Sequence, residues 1–149
     1  MRVVLQRVRS ASVTVQGHQV IRIGRGLLAL VGIGRDDKQA DVEYVVGKIC
    51  NLRLFDDDSG SMCHSVVDVD GEIMLVSQFT LYGDCRRGRR PSFDQAASAS
   101  TALEIYNSLV ASLRSEGVKV RTGKFQATMD VELINEGPVT LIIDSNRVL

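Results

Sequence analysis

Two short segments carry the residues that are best placed to do chemistry. Ser77–Leu81 puts a polar cluster directly after the apolar run Ile73–Val76, and Asn135–Thr140 contains Gly137 and Pro138 between two strand-like runs. Because Pro138 has no backbone N–H and Gly137 has no Cβ, this pair can present bare main chain whose carbonyl oxygens no sheet needs. A Gly-Pro pair alone usually marks the turn of a hairpin. The two segments together indicate a site.

The polar side chains of the first segment limit the chemistry that the chain can perform. Ser77, Gln78 and Thr80 have no histidine near them in the sequence, and a Ser-His-Asp triad would have to recruit His18 or His64 from distant loops. A threonine hydroxyl without an adjacent base is a weak nucleophile. Catalysis here therefore needs help from main-chain groups or from the substrate itself.

Neither the cysteines nor the acidic stretches predict a metal centre. Cys50, Cys63 and Cys85 are an odd number at wide spacings, which favours free thiols. The run 56–60 resembles the start of a calcium loop, but its Gly60 comes one position early and no glutamate stands at the twelfth place. We expect no metal and no cofactor.

Length and composition predict one compact domain. The chain has 149 residues, 44% of them hydrophobic, and nothing in it calls for a second domain beyond one spanning 1–149. The longest apolar stretch, Leu27–Ile33, is much shorter than the ~20 residues of a membrane span. Met1–Arg7 ends in a charged residue before an apolar region long enough for a secretory signal can form. We expect a soluble cytoplasmic protein.

Charge is unevenly distributed although the net charge is zero. Residues 1–35 contain arginines and no acid, whereas residues 36–72 hold ten acids against three bases. Arg86–Arg90 then places four arginines in a compact loop. Such a loop is either a solvated surface connection or an arginine fork for phosphates.

The hydrophobic pattern predicts an α+β domain in which two main helices cover a curved, largely antiparallel, barrel-like sheet. Near-alternation of apolar and polar residues predicts the first strands, and Gly26–Ile33 is apolar enough for a central strand buried on both faces. An exposed acidic excursion, 56–70, precedes a strand at Glu72–Gln78. The remaining predicted strands are Val3–Val8, Ala11–Val15, Gln19–Ile23, Val118–Arg121, Met129–Ile134 and Val139–Asp144, the last two joined by a Gly-Pro turn.

Capping signals predict where the two helices begin. Asp36 followed by Gln39 indicates the start of the first helix, and Ser92 followed by Gln95 indicates the start of the second, which Gly117 ends. Three- and four-residue steps predict the buried faces of both helices. The predicted inward residues are Val42, Val45, Val46, Ile49 and Leu52 in the first helix and Ala99, Leu103, Tyr106, Leu109, Val110 and Leu113 in the second.

With these elements placed, Ser77–Leu81 and Asn135–Thr140 resemble the two signature segments of the D-aminoacyl-tRNA deacylase family. The resemblance also covers Met1–Val8, Asn51–Phe55 and Arg90–Phe93, so it extends over nearly the whole chain. It implies the fold of that family and a homodimeric cytoplasmic hydrolase without a cofactor. The implied reaction removes D-amino acids from the 3′ end of tRNA, which frees the tRNA for correct recharging.

The resemblance also implies roles for individual residues. Ser77, Gln78, Phe79 and Thr80 would line the pocket around the scissile ester, with main-chain N–H groups near Phe79 and Thr80 as the oxyanion hole and the terminal ribose 2′-hydroxyl assisting water. Thr80 as a covalent nucleophile is the rival mechanism. The peptide 137–138 would be cis, reach into the other subunit's site and reject an L side chain by steric overlap. Glycyl-tRNA, which has no side chain, would not be fully excluded.

The same resemblance implies a pocket for the terminal adenine, and the distribution of charge adds candidates for phosphate binding. Phe125 and Met129 would enclose the terminal adenine, although by residue type alone they are more often core. The family usually has Gly-Ala and then an acid or histidine between them, whereas this chain has Gln-Ala-Thr at 126–128. Arg7 and the loop Arg86–Arg90 are candidates for phosphates of the acceptor end.

Three other functions are compatible with the residues. The chain could be a noncatalytic module that binds RNA ends, or an esterase for small molecules. A related enzyme of the same fold could remove L-amino acids if the Gly137-Pro138 bond were trans.

Overall fold

The computed structural model describes residues 1–17 and 19–148, so His18 lies outside the described residues. Eight strands, two α-helices and a short 3₁₀ helix follow one another along the described chain. In order they are β1 Arg2–Val15, β2 Gln19–Ile23, β3 Gly26–Gly32, α1 Gln39–Asn51, β4 Phe55–Asp56, β5 Met62–His64, β6 Glu72–Ser77, the 3₁₀ helix Phe79–Tyr82, α2 Ala99–Ser115, β7 Lys119–Thr122 and β8 Met129–Asp144.

Strand β1 organises the main sheet. One edge of β1 pairs antiparallel with β3 and then β2, and its other edge pairs antiparallel with β8. Strands β3, β6 and β7 continue the sheet as parallel neighbours. Although β2 and β7 stand at opposite ends of the strand order, they contact each other, so the sheet curls toward a barrel. The α+β class, the curvature and the two helices agree with the predictions, and the parallel pairs make the sheet mixed.

The two faces of the sheet bury two separate apolar clusters. On β3, Leu27 and Ala29 pack toward the helices, while Leu28 lies on the opposite face with Met74 of β6. Alternate side chains of one strand point to opposite faces, so a strand that is apolar at every position must be covered on both sides. The prediction of a central strand buried on both faces is confirmed.

Two predicted breaks between strands are wrong. The first two predicted strands form one continuous β1, whose register against β8 shifts near Val8. The Gly-Pro pair does not reverse the chain, because both halves of β8 pair antiparallel with the same strand, β1. Gln6 pairs with Thr140 and Val8 pairs with Asn135, so Arg7 alone stands opposite the residues 136–139. The Gly-Pro pair therefore lies in a bulge of one strand.

Both helices begin later than predicted. The N-cap of α1 is Lys38, whose backbone N–H donates to the carboxylate of Asp41 at 2.7 Å. The N-cap of α2 is Ser98, whose hydroxyl accepts from Thr101 N, and Ser92 instead forms an isolated bridge with Asp84. Most predicted inward residues are buried. Three are not: Leu52 follows the end of α1, and Ala99 and Leu103 of α2 are exposed.

We expect Ser98→Ala to lower the free energy of unfolding by about 1 kcal/mol, because it removes the side-chain acceptor at the start of α2. Ser92→Ala, the matched control at the position that the sequence favoured, should change it by less than half as much. Chemical denaturation of both variants measures the difference. Equal losses would contradict the assignment of Ser98 as the cap.

The acidic segment after α1 is a short excursion, largely as predicted. Strands β4 and β5 form a small hairpin, and Val66 beyond it is fully buried. Within the described chain, no helix has the length and apolar character that crossing a membrane requires.

Candidate active site

A cavity of about 710 Å³ opens at the carboxyl end of β6. Ser77, Gln78 and Phe79 form one wall, and Phe125 and Met129 contribute to the wall that leads into β8. Small alanine side chains at the start of α2 leave the space between these walls open. The structure thus brings together five of the residues that the resemblance selected.

The lining of this cavity contains no ionisable side chain among the described residues. Its polar groups are hydroxyls and carboxamides, which neither take up nor release a proton near neutral pH. In addition, no three His, Cys, Asp or Glu side chains of the described ranges are grouped as metal ligands. Proton transfer by a side chain is therefore not available in the walls of this cavity.

Close packing fixes the segment that follows β6. The amide N–H of Gln78 donates to Val31 O at 2.7 Å, which extends the parallel pairing of β6 with β3 by one residue. The 3₁₀ helix then packs against the end of β3, where a Cβ on Gly32 would lie 3.0 Å from the Cβ of Leu81. Any larger residue at this position would crowd Leu81, so glycine favours this close approach. Phe79 and Thr80 are the first two residues of this packed 3₁₀ helix, so their amide groups are held in place beside the cavity.

Thr80 lies next to the cavity wall and not in it. Its side chain is exposed, and its hydroxyl accepts a hydrogen bond from the carboxamide of Gln78 at 2.5 Å. No carboxylate, imidazole or amine of the described residues contacts that hydroxyl. Thr80 is therefore not activated by a neighbouring base in this structure.

The opposite wall rests on the interior of the protein. The ring of Phe125 packs against Tyr106 with 5.9 Å between the centroids, and the Tyr106 hydroxyl donates to Leu75 O at 2.8 Å. Burial raises the pKa of Tyr106, so this hydroxyl stays protonated and keeps its donor role. Met129 lies against Gly123, where an added Cβ would come within 2.5 Å of the sulfur. The side chains of Phe125 and Met129 are both half-buried and face a space that a flat ring could occupy.

Gln126 adopts a backbone conformation that favours glycine, with φ of 59°. It lines the cavity and is exposed. The left-handed conformation costs an L residue ~1–2 kcal/mol. The turn between Phe125 and Met129 therefore carries a strained glutamine at its first position.

We expect Gln126→Gly to raise the free energy of unfolding by about 0.5–1 kcal/mol, since the relief of strain exceeds the entropy cost of an added glycine. Thermal unfolding of the variant measures the gain. Gln126→Ala, which keeps a Cβ and loses the carboxamide, is the control and should be near neutral. A destabilised glycine variant would refute strain at this position.

The second segment lies elsewhere on the protein. The Gly137–Pro138 peptide bond is cis, and both residues are exposed on the bulge of β8. Asn135 closes the base of this bulge, because its side-chain Nδ2 donates to Arg7 O at 2.9 Å and to Val139 O at 3.2 Å. The sequence included Asn135 in the motif but gave no sign of this role. Neither Gly137 nor Pro138 lines the cavity of this chain.

Arg7 lies beneath the bulge and is only 4% exposed. Its guanidinium donates to Leu54 O at 2.6 Å, to Glu136 O at 3.0 Å and to the carboxylate of Asp56 at 3.2 Å. Burying a guanidinium is tolerated when its donors are satisfied in this way. A phosphate contact by Arg7 stays a prediction. In this structure the side chain instead ties the residue before the Gly-Pro pair, Glu136, to the segment after α1 that contains Leu54 and Asp56.

Comparison with known proteins decides the family. The family model described as D-Tyr-tRNA(Tyr) deacylase matches residues 4–144. The chain belongs to this deacylase family. A D-aminoacyl-tRNA deacylase of Desulfitobacterium hafniense is 58% identical over 147 residues, which are 99% of each chain. The predicted family, and with it the prediction of an enzyme, are confirmed.

Solved structures agree with the deacylase fold. A protein described as a c-Myc DNA unwinding element binding protein superposes with a TM-score of 0.90 at 43% identity, covering 97% of this chain and 98% of the other. A probable eukaryotic D-amino acid tRNA deacylase superposes with a TM-score of 0.80 at 20% identity, covering 95% and 97%. The predicted fold class is confirmed.

Proposed function

We propose that the chain hydrolyses the ester bond between a D-amino acid and the 3′-terminal ribose of tRNA. Membership of the deacylase family and the activity named for the Desulfitobacterium hafniense relative support the reaction. The cavity of about 710 Å³ is of a size suited to a nucleoside ester. In this proposal the ester lies against Ser77–Thr80 and the substrate is cytoplasmic aminoacyl-tRNA, so the enzyme works in the cytoplasm.

The terminal adenine fits between Phe125 and Met129 in this proposal. An aromatic face and a thioether both offer polarisable apolar cover to a base, and neither depends on base sequence. The half-burial of both side chains leaves part of each surface free for the ligand. The ribose and its ester then point toward the 3₁₀ helix.

Chiral selection comes from the main chain of Gly137 and Pro138 supplied by a second protomer. Their separation from the cavity within one protomer, together with their exposure, supports a role in a neighbouring site. Strand β8 supports a homodimer as well: it pairs only with β1 among the described strands. Its exposed apolar side chains are Val131, Leu133, Ile134 and Ile142.

The screen would act by exclusion. If the pocket holds the ester carbonyl, the amino group and the Cα hydrogen, only one enantiomer can send its side chain outward, and the other meets the carbonyl oxygens of Gly137 and Pro138. Side-chain identity would then matter little, because the accepted side chain points away from the protein. Glycine has nothing that could clash, so glycyl-tRNA is also a substrate.

The chemical step uses main-chain donors and the substrate itself. The amide N–H groups of Phe79 and Thr80 stabilise the oxyanion, and the 2′-hydroxyl of the terminal ribose assists the attacking water. The absence of ionisable side chains from the described cavity lining is the observation that carries this mechanism. It also disfavours Thr80 as a nucleophile, since nothing there can take its proton.

The decisive assay follows release of free amino acid from D-tyrosyl-, L-tyrosyl- and glycyl-tRNA by the purified protein. We expect rapid hydrolysis of the D-ester, measurable hydrolysis of the glycyl ester and an L-ester rate at the uncatalysed background. Comparable cleavage of the L-ester would refute the screen. Tight tRNA binding without turnover would instead favour a noncatalytic RNA-end-binding module.

A further inference from the structure

The loop Arg86–Arg90 is built as a rigid projection. Its base is closed by two main-chain hydrogen bonds, from Asp84 N to Ser92 O at 2.7 Å and from Ser92 N to Asp84 O at 3.1 Å. Gly88 at its tip has φ of 67°, which permits the sharp turn. The loop is therefore held at a fixed place on the surface.

One arginine of the loop forms an ion pair within the described chain, and the other three do not. The Nε and Nη2 groups of Arg86 donate to the two carboxylate oxygens of Asp84 at 2.9 and 2.7 Å. These bonds hold the pKa of Asp84 below its usual value, so the pair stays charged and self-compensating. Arg87, Arg89 and Arg90 are exposed, and none forms an ion pair within the described chain. They leave a local excess of positive charge on a neutral protein.

The segment that carries this charge packs against the wall of the cavity. Phe79, which lines the cavity, packs edge-on against Phe93 with 5.1 Å between the ring centroids. Phe93 in turn follows the closed base of the loop, where Gly83 leaves room for Phe93 and Pro91. Beyond it the chain returns to the cavity wall, because Ala97 N donates to Ile33 O at 2.9 Å. One continuous segment thus joins the arginines to the wall.

We propose that Arg87, Arg89 and Arg90 bind the phosphates of the tRNA acceptor strand where it leaves the cavity. This inference rests on the proposed function, which places the 3′-terminal nucleoside inside the cavity. A strand whose terminal adenine is enclosed must pass its next phosphates across the rim. Guanidinium groups suit them through paired, charge-assisted hydrogen bonds that ignore base identity. Arg86 serves to orient the loop and makes no phosphate contact.

The test uses the triple variant R87S/R89S/R90S in the full chain. Its matched control, R22S/R53S/R121S, removes the same charge from exposed positions outside the cavity and the loop. We expect the loop variant to lose about tenfold or more in kcat/KM on D-tyrosyl-tRNA, mostly through KM. Hydrolysis of the D-tyrosyl ester of adenosine, which has no phosphate, should be unchanged. The control should resemble the wild type on both substrates.

Equilibrium binding of uncharged tRNA against salt concentration decides the inference separately from hydrolysis. The loop variant should bind more weakly, with a log–log salt slope reduced by roughly two to three units. An unchanged slope, or an equal loss of activity on the adenosine ester, would overturn the inference. If the wild type hydrolyses neither ester, the proposed function fails, and the binding slopes still decide the role of the loop.

Discussion

Gly137→Ala is expected to abolish most of the deacylase activity while leaving the protomer folded. A Cβ at this position would meet only Asn135 Oδ1, at 3.4 Å, which is an ordinary contact, so the substitution does not disturb the bulge. In the proposed dimer, however, that methyl group would project into the neighbouring site, beside the Cα of the substrate. A displacement of about 1 Å at a reacting centre can cost 100-fold in rate, and we expect a loss of about that size or more.

Gly47→Ala is the matched control for this variant. Gly47 is exposed on α1, and an added Cβ has no neighbour within 4 Å, so the chemical change is the same and far from the site. Its activity should equal that of the wild type, with a small gain in stability from helix propensity. Measured kcat/KM values on D-tyrosyl-tRNA and melting curves for both variants make the comparison. Full activity of Gly137→Ala would show that this main chain does not approach the substrate.

Replacing the terminal 2′-hydroxyl of the tRNA by hydrogen is expected to slow hydrolysis by about 100-fold or more. The reason is that the described cavity lining holds no ionisable side chain that could assist water, so the substrate must supply the group. The measurement is single-turnover hydrolysis of D-tyrosyl esters of normal and 2′-deoxy-terminated tRNA, which separates the chemical step from binding.

Thr80→Ala is the companion experiment. If main-chain N–H groups hold the oxyanion, this variant should keep its single-turnover rate within about tenfold, because the backbone amide is unchanged. Abolished turnover together with an unaffected 2′-deoxy substrate would reverse the assignment and make the threonine the nucleophile. Gln78→Ala tests whether the hydrogen bond that Gln78 donates to the Thr80 hydroxyl contributes to the rate.

The residues of the cavity could be predicted from the sequence, whereas the bulge in β8 could not. The polar residues after β6 could be placed because a strand end is set by local pattern, and the family motif then joined them to Phe125 and Met129. The Gly-Pro pair predicts a turn, because its local signal is the same in a turn and in a bulge. Only the pairing of both halves of β8 with β1 separates the two.

Two other differences have the same origin in distant contacts. Ser92 and Ser98 are both good capping residues. The helix begins at Ser98 because the preceding segment is bonded to the residues that follow β3: Gln95 O accepts from Arg35 N at 3.0 Å. Arg7 stands in an alternating strand and would be expected at the surface. Its burial depends on Leu54 and Asp56, which lie far along the chain, so no local pattern could reveal it.

The uncovered side of β8 has a consequence for the newly synthesised chain. A long strand with a free edge and apolar side chains is a template for mispairing and aggregation. Pro138 removes one main-chain donor from this strand, and Asp130 and Glu132 add like charges near one end of it. Identical strands stacked in parallel and in register would bring these like charges together and lack a hydrogen bond at the proline. Pro138, to which we assign chiral selection, would thus also hinder non-specific strand pairing of the monomer before the proposed dimer forms.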